Sequence, residues 1–232
     1  MTLFRDHSGD LILPGRVTRA ITDPVMSIPA ALPYWQTAAA GTMTYGTFTG
    51  ANSIGWAKNT SGPVSGNAAA IKAVSPLNAI QPNNFTHLRL DLESLVFDAD
   101  TGMDFEMGFQ GNSNKGGCSI LHLNGASNAI VRVKDASSVI TDYAISYNVF
   151  QGSGGGRKRR NLTLILIPNG FPGGPRQTSA FVFEDDAEIA AVPLTSGADM
   201  TWATCPLWQV VTREAAAHSV QWGQARLTIG HN

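Results

Sequence analysis

In the stretch Phe85-Thr-His-Leu-Arg-Leu-Asp-Leu-Glu-Ser-Leu-Val-Phe97, Leu88, Leu90 and Leu92 fall on one face and His87, Arg89, Asp91 and Glu93 on the other. Alternation of this kind has the period of a β-strand, whose successive side chains point to opposite faces. A helix would need its apolar residues three and four apart. The stretch therefore reads as a strand with one greasy face, and that face needs a second layer to cover it.

The pattern recurs along the chain. In Asp104–Gln110, Phe105, Met107 and Phe109 point one way and Glu106, Gly108 and Gln110 the other. Ser119–Asn124 and Ala129–Val133 alternate likewise, and Thr178–Phe183 and Gln224–Ile229 complete the set. Asn161-Leu-Thr-Leu-Ile-Leu-Ile-Pro168 is apolar on both faces toward its end, as expected of a central, covered strand. Gly, Asn, Asp and Pro clusters punctuate these runs at Asp100–Gly102, Gln110–Gly117, Asn124-Gly125, Asn169–Pro175 and Ser196-Gly197. Helical spacing is nearly absent; Arg213–His218 suits one or two helical turns. Strands at this spacing with such punctuation predict an antiparallel sandwich or barrel and exclude alternating α/β architecture.

Residues 1–33 differ. They contain Pro14, Pro24, Pro29 and Pro33, and proline interrupts a ladder, so an extended arm or edge hairpin is expected there, with the sandwich filling residues 34–232. A chain of 232 residues suits one such domain. Charged residues make up only 14%, with 16 Lys and Arg nearly cancelling 17 Asp and Glu. So weak and balanced a charge excludes a general nucleic-acid binder, which needs a broad basic field. No apolar run is long enough for a transmembrane helix. The start of the chain shows no signal peptide, so synthesis in the cytoplasm is expected. Cys118 and Cys205 could pair or remain buried free thiols.

The order of strands from about Phe85 onward resembles the concanavalin A-like (lectin/glucanase) jelly roll. Two strand pairs carry the likeness, Leu88–Phe97 with Met103–Gln110 and Ser119–Asn124 with Ala129–Lys134. Asn161–Ile167 then leads through a Gly/Pro loop into Ala180-Phe-Val-Phe-Glu-Asp-Asp-Ala-Glu-Ile189, similar to that family's strand, tight turn, strand hairpin, and Ala225–Ile229 is similar to its closing strand. The implied fold is an all-β, antiparallel two-sheet jelly-roll sandwich with an extended N-terminal arm. A methionine-initiated arm, low charge and a composition rich in Gly, Ser, Thr and Ala also resemble tail or surface proteins of bacteriophages.

Several groups are candidates for chemistry. His87, Arg89, Asp91 and Glu93 line one strand face and could bind sugar hydroxyls; the same pattern suits an ordinary solvent-facing sheet. Glycosidases that this fold resembles carry Glu-x-Asp-x-x-Glu on one strand, and here Asp91 and Glu93 supply two acids without the third. Asp98, Asp100 and Asp104 flank Gly102 in a spacing that could hold calcium or simply make a hairpin turn. Arg157, Lys158, Arg159 and Arg160 follow a glycine run and could present a cationic tip to an anionic partner, or guard the next apolar strand. Among the tryptophans, Trp202 and Trp208 flank Cys205 and Pro206 in an expected loop, where they could stack on sugar rings; core packing is the alternative.

The expected function is a non-catalytic structural or binding component of a phage tail or virion, at the particle surface. Its partners would be copies of itself, neighbouring virion subunits or a cell-surface glycan. The alternatives are a polysaccharide hydrolase or lyase acting through Asp91 and Glu93, and a free-standing lectin.

Overall fold

A computed structural model describes residues 4–5, 11–12, 16–24, 35–39, 41–47, 55–73, 86–111, 116–134, 137–151, 158–167, 179–194 and 204–231. These residues hold eighteen strands and no helix. In chain order they are β1 (Phe4–Arg5), β2 (Leu11–Ile12), β3 (Arg16–Pro24), β4 (Trp35–Thr37), β5 (Thr42–Thr47) and β6 (Gly55–Thr60). Next come β7 (Ala68–Ala73), β8 (His87–Phe97), β9 (Met103–Gly111), β10 (Gly117–His122), β11 (Ile130–Lys134) and β12 (Ile140–Ala144). The last six are β13 (Arg160–Ile167), β14 (Ser179–Glu184), β15 (Ala187–Pro193), β16 (Thr204–Thr212), β17 (Ser219–Trp222) and β18 (Gln224–His231).

Two antiparallel sheets stack face to face. One has the order β12-β11-β10-β9-β16-β7-β4. The other runs β15-β14-β13-β8-β17-β6-β5, with β18 joining β8 to β3. Alternation delivers one face of each sheet to a shared core: Leu88, Leu90 and Leu92 from β8, Phe105, Met107 and Phe109 from β9, and Leu162, Leu164 and Leu166 from β13 are all buried there. Burying a side chain of this size contributes about 1.5–3 kcal/mol.

β8 is the spine of the second sheet. Its first half pairs with β18, and its end, Val96 and Phe97, pairs with β17. Ser94, in the left-handed region at φ 53°, marks the irregularity where the β13 register shifts between Arg160 and Leu162. The β14–β15 hairpin turns on Asp185 and Asp186, both at positive φ. This is a two-residue turn of the primed type, which Asp tolerates. The acidic cluster Glu184–Glu188 thus sits at a turn, as expected.

Two expectations change. Arg213–His218 is not helical; the chain bends there. The Thr212 hydroxyl donates to Ala216 O at 3.0 Å and the His218 amide to Ser61 Oγ at 3.0 Å. Side chains thereby take up backbone groups that a helical ladder would need. The expected loop around Pro206 is instead β16, a strand inside the seven-stranded sheet between β9 and β7. The β7 ladder starts only at Leu207, so Pro206 sits where β16 has a single neighbour, an edge-like position that proline tolerates. Within the N-terminal portion, Arg16–Pro24 pairs along the length of β18 at the edge of the nine-stranded sheet.

Cys118 and Cys205 are both free and buried. Cys118 lies opposite core-facing Phe109, whereas Cys205 lies opposite outward-facing Gln110. Both belong to the main core cluster, and no disulfide joins them.

Candidate binding faces

Each sheet has an outer face, and the two differ in how their polar groups are satisfied. On the seven-stranded sheet, register places Asp142, Arg132, Ser119, Gly108, Leu207 and Lys72 in one row across six strands. Strands lie 4.7–4.9 Å apart, so this row is about 24 Å long, room for several sugar rings. The next row contains Ile130, Leu121, Glu106, Gln209 and Ala70.

Glu106 is the hub of this face. One carboxylate oxygen accepts from Ser119 Oγ at 2.7 Å and the other from Gln209 Nε2 at 2.7 Å. Arg132 forks onto Asp142, with Nε and Nη2 each 2.8 Å from a carboxylate oxygen. Asp104 accepts from the Asn124 amide at 2.7 Å and from Arg213 Nε at 2.7 Å. Gly108 supplies no side chain because a Cβ there would stand 2.5 Å from Ser119 Cα and against the Cys118 carbonyl. Sequence alternation put Glu106 on this face, but Gln209, Ser119, Arg132 and Asp142 emerge only from cross-strand register.

The outer face of the nine-stranded sheet carries the His87–Glu93 ladder. It is not a plain solvated surface. His87 is 0% exposed and its ring lies over Gly230, whose Cβ position it fills. Asp91 is 4% exposed. Its oxygens accept from Arg89 Nε at 2.8 and 2.9 Å, and Oδ1 also from Thr163 Oγ1 at 2.6 Å. Beside this network Ile165, Ile167, Phe181 and Phe183 form a second buried apolar cluster. They alternate with the core-facing residues of β13 and β14, which explains why Asn161–Ile167 reads as apolar on both faces. Glu93 remains half-buried on this face, directly opposite Gln224.

The other candidate residues disperse. Trp208 is 0% exposed, its ring 4.7 Å from Trp35 and 5.1 Å from Trp222 between centroids. Membership of β16 points it into the core, so it offers no surface to a sugar. Trp202 and Arg157 lie outside the described residues. Arg160 is no part of a cationic tip: it is 1% exposed, opens β13, and donates to the Val149 carbonyl and to Gln151 O at 2.7 Å. Lys158 pairs with Glu184 at 2.9 Å, and Arg159 is exposed. Asp98 faces His218 at 3.5 Å, Asp104 is held by Arg213, and Asp100 is exposed in the turn. Among the described residues no three His, Cys, Asp or Glu side chains gather into a metal-binding group.

One buried titratable group braces the end of the core. His122 Nδ1 accepts from the Val149 amide at 3.0 Å, so Nε2 carries the proton it shares with Ala126 O at 2.9 Å. Burial holds its pKa below the ordinary 6.5, against the opposing pull of the Ala126 carbonyl and Asp104.

The chain matches no protein-family profile, and no curated protein matches it in sequence. Solved structures do share its shape. A protein of unknown function from Shewanella oneidensis MR-1 aligns at TM-score 0.57 and 11% identity, over 95% of this chain and 90% of that one. The carbohydrate recognition domain of Emp47p aligns at 0.56 and 10% identity, over 90% and 95%. A variant of LamA from Zobellia galactanivorans, in complex with laminaritriose and laminaritetraose, aligns at 0.57 and 9% identity, over 92% and 100%. Identities this low speak to fold alone. With the two stacked antiparallel sheets, they give the chain the fold of a concanavalin A-like jelly-roll sandwich.

Proposed function

We propose that this chain is a non-catalytic binding component of a phage tail or virion, and that its sandwich engages glycan through the outer face of the seven-stranded sheet. One observation carries the non-catalytic reading. Among the described residues, the carboxylates on that face's strands are engaged through both oxygens: Glu106 by Ser119 and Gln209, Asp104 by Asn124 and Arg213, Asp142 by Arg132. A glycosidase needs one carboxyl to deliver a proton and another to attack or to activate water. In the Asp91 and Glu93 alternative three hydrogen bonds hold Asp91 as an acceptor, which leaves Glu93 alone where the chemistry needs two carboxyls. Fixed polar groups along a flat row suit recognition of hydroxyls instead.

Two further features support the reading. The similar structures include a carbohydrate recognition domain and an oligosaccharide complex. The chain's low charge fits a subunit packed among others in a particle, and its neighbours there would be copies of itself or other virion proteins. The test is affinity electrophoresis through a panel of polysaccharides, with reducing ends assayed in parallel and light scattering for assembly. Retardation by one polymer without reducing-end release, weakened in Glu106→Gln and Arg132→Ala, and a stable oligomer are expected. Release of reducing ends that Glu93→Gln abolishes would replace this reading with the hydrolase one.

A further inference from the structure

The two outer faces contrast in one respect. The seven-stranded face spends its carboxylates on internal contacts, whereas three polar side chains on the nine-stranded face remain uncommitted. Glu93, Gln224 and Arg226 are each half-buried. Glu93 stands directly opposite Gln224, and Arg226 stands two residues along β18, opposite Asp91. Directly opposed residues have Cβ atoms about 4.5–5.5 Å apart and diagonal ones are about 7–8 Å apart, so one small ligand can touch all three. Among the described residues none of these side chains makes a hydrogen bond or ion pair, and Arg226 Nε is buried without a partner.

Asp91 gives Arg226 no hydrogen bond, its oxygens accepting from Arg89 and Thr163 instead. Arginine cannot shed its proton to escape desolvation, and a buried donor left unbonded costs free energy. The patch is thus a small surface holding a carboxylate acceptor, a guanidinium donor fork and a carboxamide that does either.

We propose that Glu93, Gln224 and Arg226 form a second saccharide site that takes a neutral sugar unit through two adjacent hydroxyls; this rests on the reading that the chain binds glycan. Each hydroxyl donates to Glu93 or Gln224 while its oxygen accepts from Arg226. A neutral diol satisfies both charges at once, whereas an anionic sugar meets Glu93 and a cationic one meets Arg226. A peptide partner fits less well, because hot spots need aromatic or apolar anchors. The exposed large apolar residues among those described, Val64, Leu123, Val139 and Ile140, belong to other elements.

The test is a titration of the full 15N-labelled chain with neutral hexasaccharides (malto-, cello-, manno- and laminari-) and with oligogalacturonate. The Arg226 Nε–Hε signal should shift with at least one neutral sugar. Its Kd, read from the backbone amide shifts of β8 and β18, should weaken at least tenfold in Arg226→Ala and in Glu93→Gln, with Arg226→Lys recovering part of the loss. Melting curves check that each variant is folded, and Gln224→Ala serves if one is not. Neutral-sugar binding that is unchanged in all these variants overturns the second site and leaves the first reading standing. So does Arg226 dependence confined to oligogalacturonate. No binding of any sugar at millimolar concentration sinks both.

Discussion

Replacing Trp208 by alanine separates a core role from a ligand role. Its ring is 0% exposed and meets Trp35 and Trp222 edge-on, with centroids 4.7 and 5.1 Å away. Truncating a buried Trp or Phe to Ala costs about 3–5 kcal/mol. Each aromatic pair adds about 0.5–1.5 kcal/mol beyond area burial, although that share overlaps the truncation figure. Against a total stability of about 5–15 kcal/mol, one substitution removes about a fifth or more. In a domain of this size 1 kcal/mol moves Tm by about 2–4 °C, so Trp208→Ala should melt about 6–20 °C lower. Trp208→Phe should lose clearly less, because a ring still fills most of the space. Calorimetry or tryptophan fluorescence against temperature reads both. A Trp208→Ala protein that melts with the wild type and loses only glycan binding would refute the core placement.

Two further predictions concern the frame around the binding face. The folded-state pKa of His122 lies below the 6.5 of the unfolded chain, so the unfolded state takes up a proton first. Its contribution to stability is complete above pH 6.5 and drains away as pH falls through the folded value; protonation also breaks the Val149 N–H to Nδ1 bond. Tm measured from pH 8 to pH 4 should fall more steeply in the wild type than in His122→Gln, and parallel curves would remove His122 as the cause. Gly108→Ala should cost about 1–3 kcal/mol or more, because its methyl meets the rigid backbone at Cys118 and Ser119. Urea denaturation with an unchanged midpoint would show that β9 and β10 can part to admit it.

The period-two pattern carries the strands because one side of each is buried: Leu88, Leu90 and Leu92 could not alternate with His87, Arg89 and Asp91 in any other element. The Asp185-Asp186 turn falls where the resemblance implies one, and Asp tolerates the positive φ it needs there. β16 was not. Pro206 reads as a breaker until the neighbouring ladder is known to start one residue later. The binding faces were half legible for a related reason. Alternation assigns Glu106 to an outer face, but its bond to Gln209 joins residues 103 positions apart. The inward turn of Arg160 was not legible because adjacent cations look alike in sequence, while this one opens a strand.

The placement of β18 between β8 and β3 bears on how the chain is made. β8 finds one long neighbour early in β13, but the strand that seals its other side is translated about 130 residues later. At about 5–20 residues per second that interval is roughly 6–26 s. Throughout it the backbone groups along one side of β8 lack their final partners, on a nascent chain with few charges to repel its neighbours on the polysome. Pairings this distant in sequence also fold slowly once released, because loop closure precedes any gain. Expression at reduced temperature or with added chaperones should therefore raise the soluble yield more than any surface substitution does.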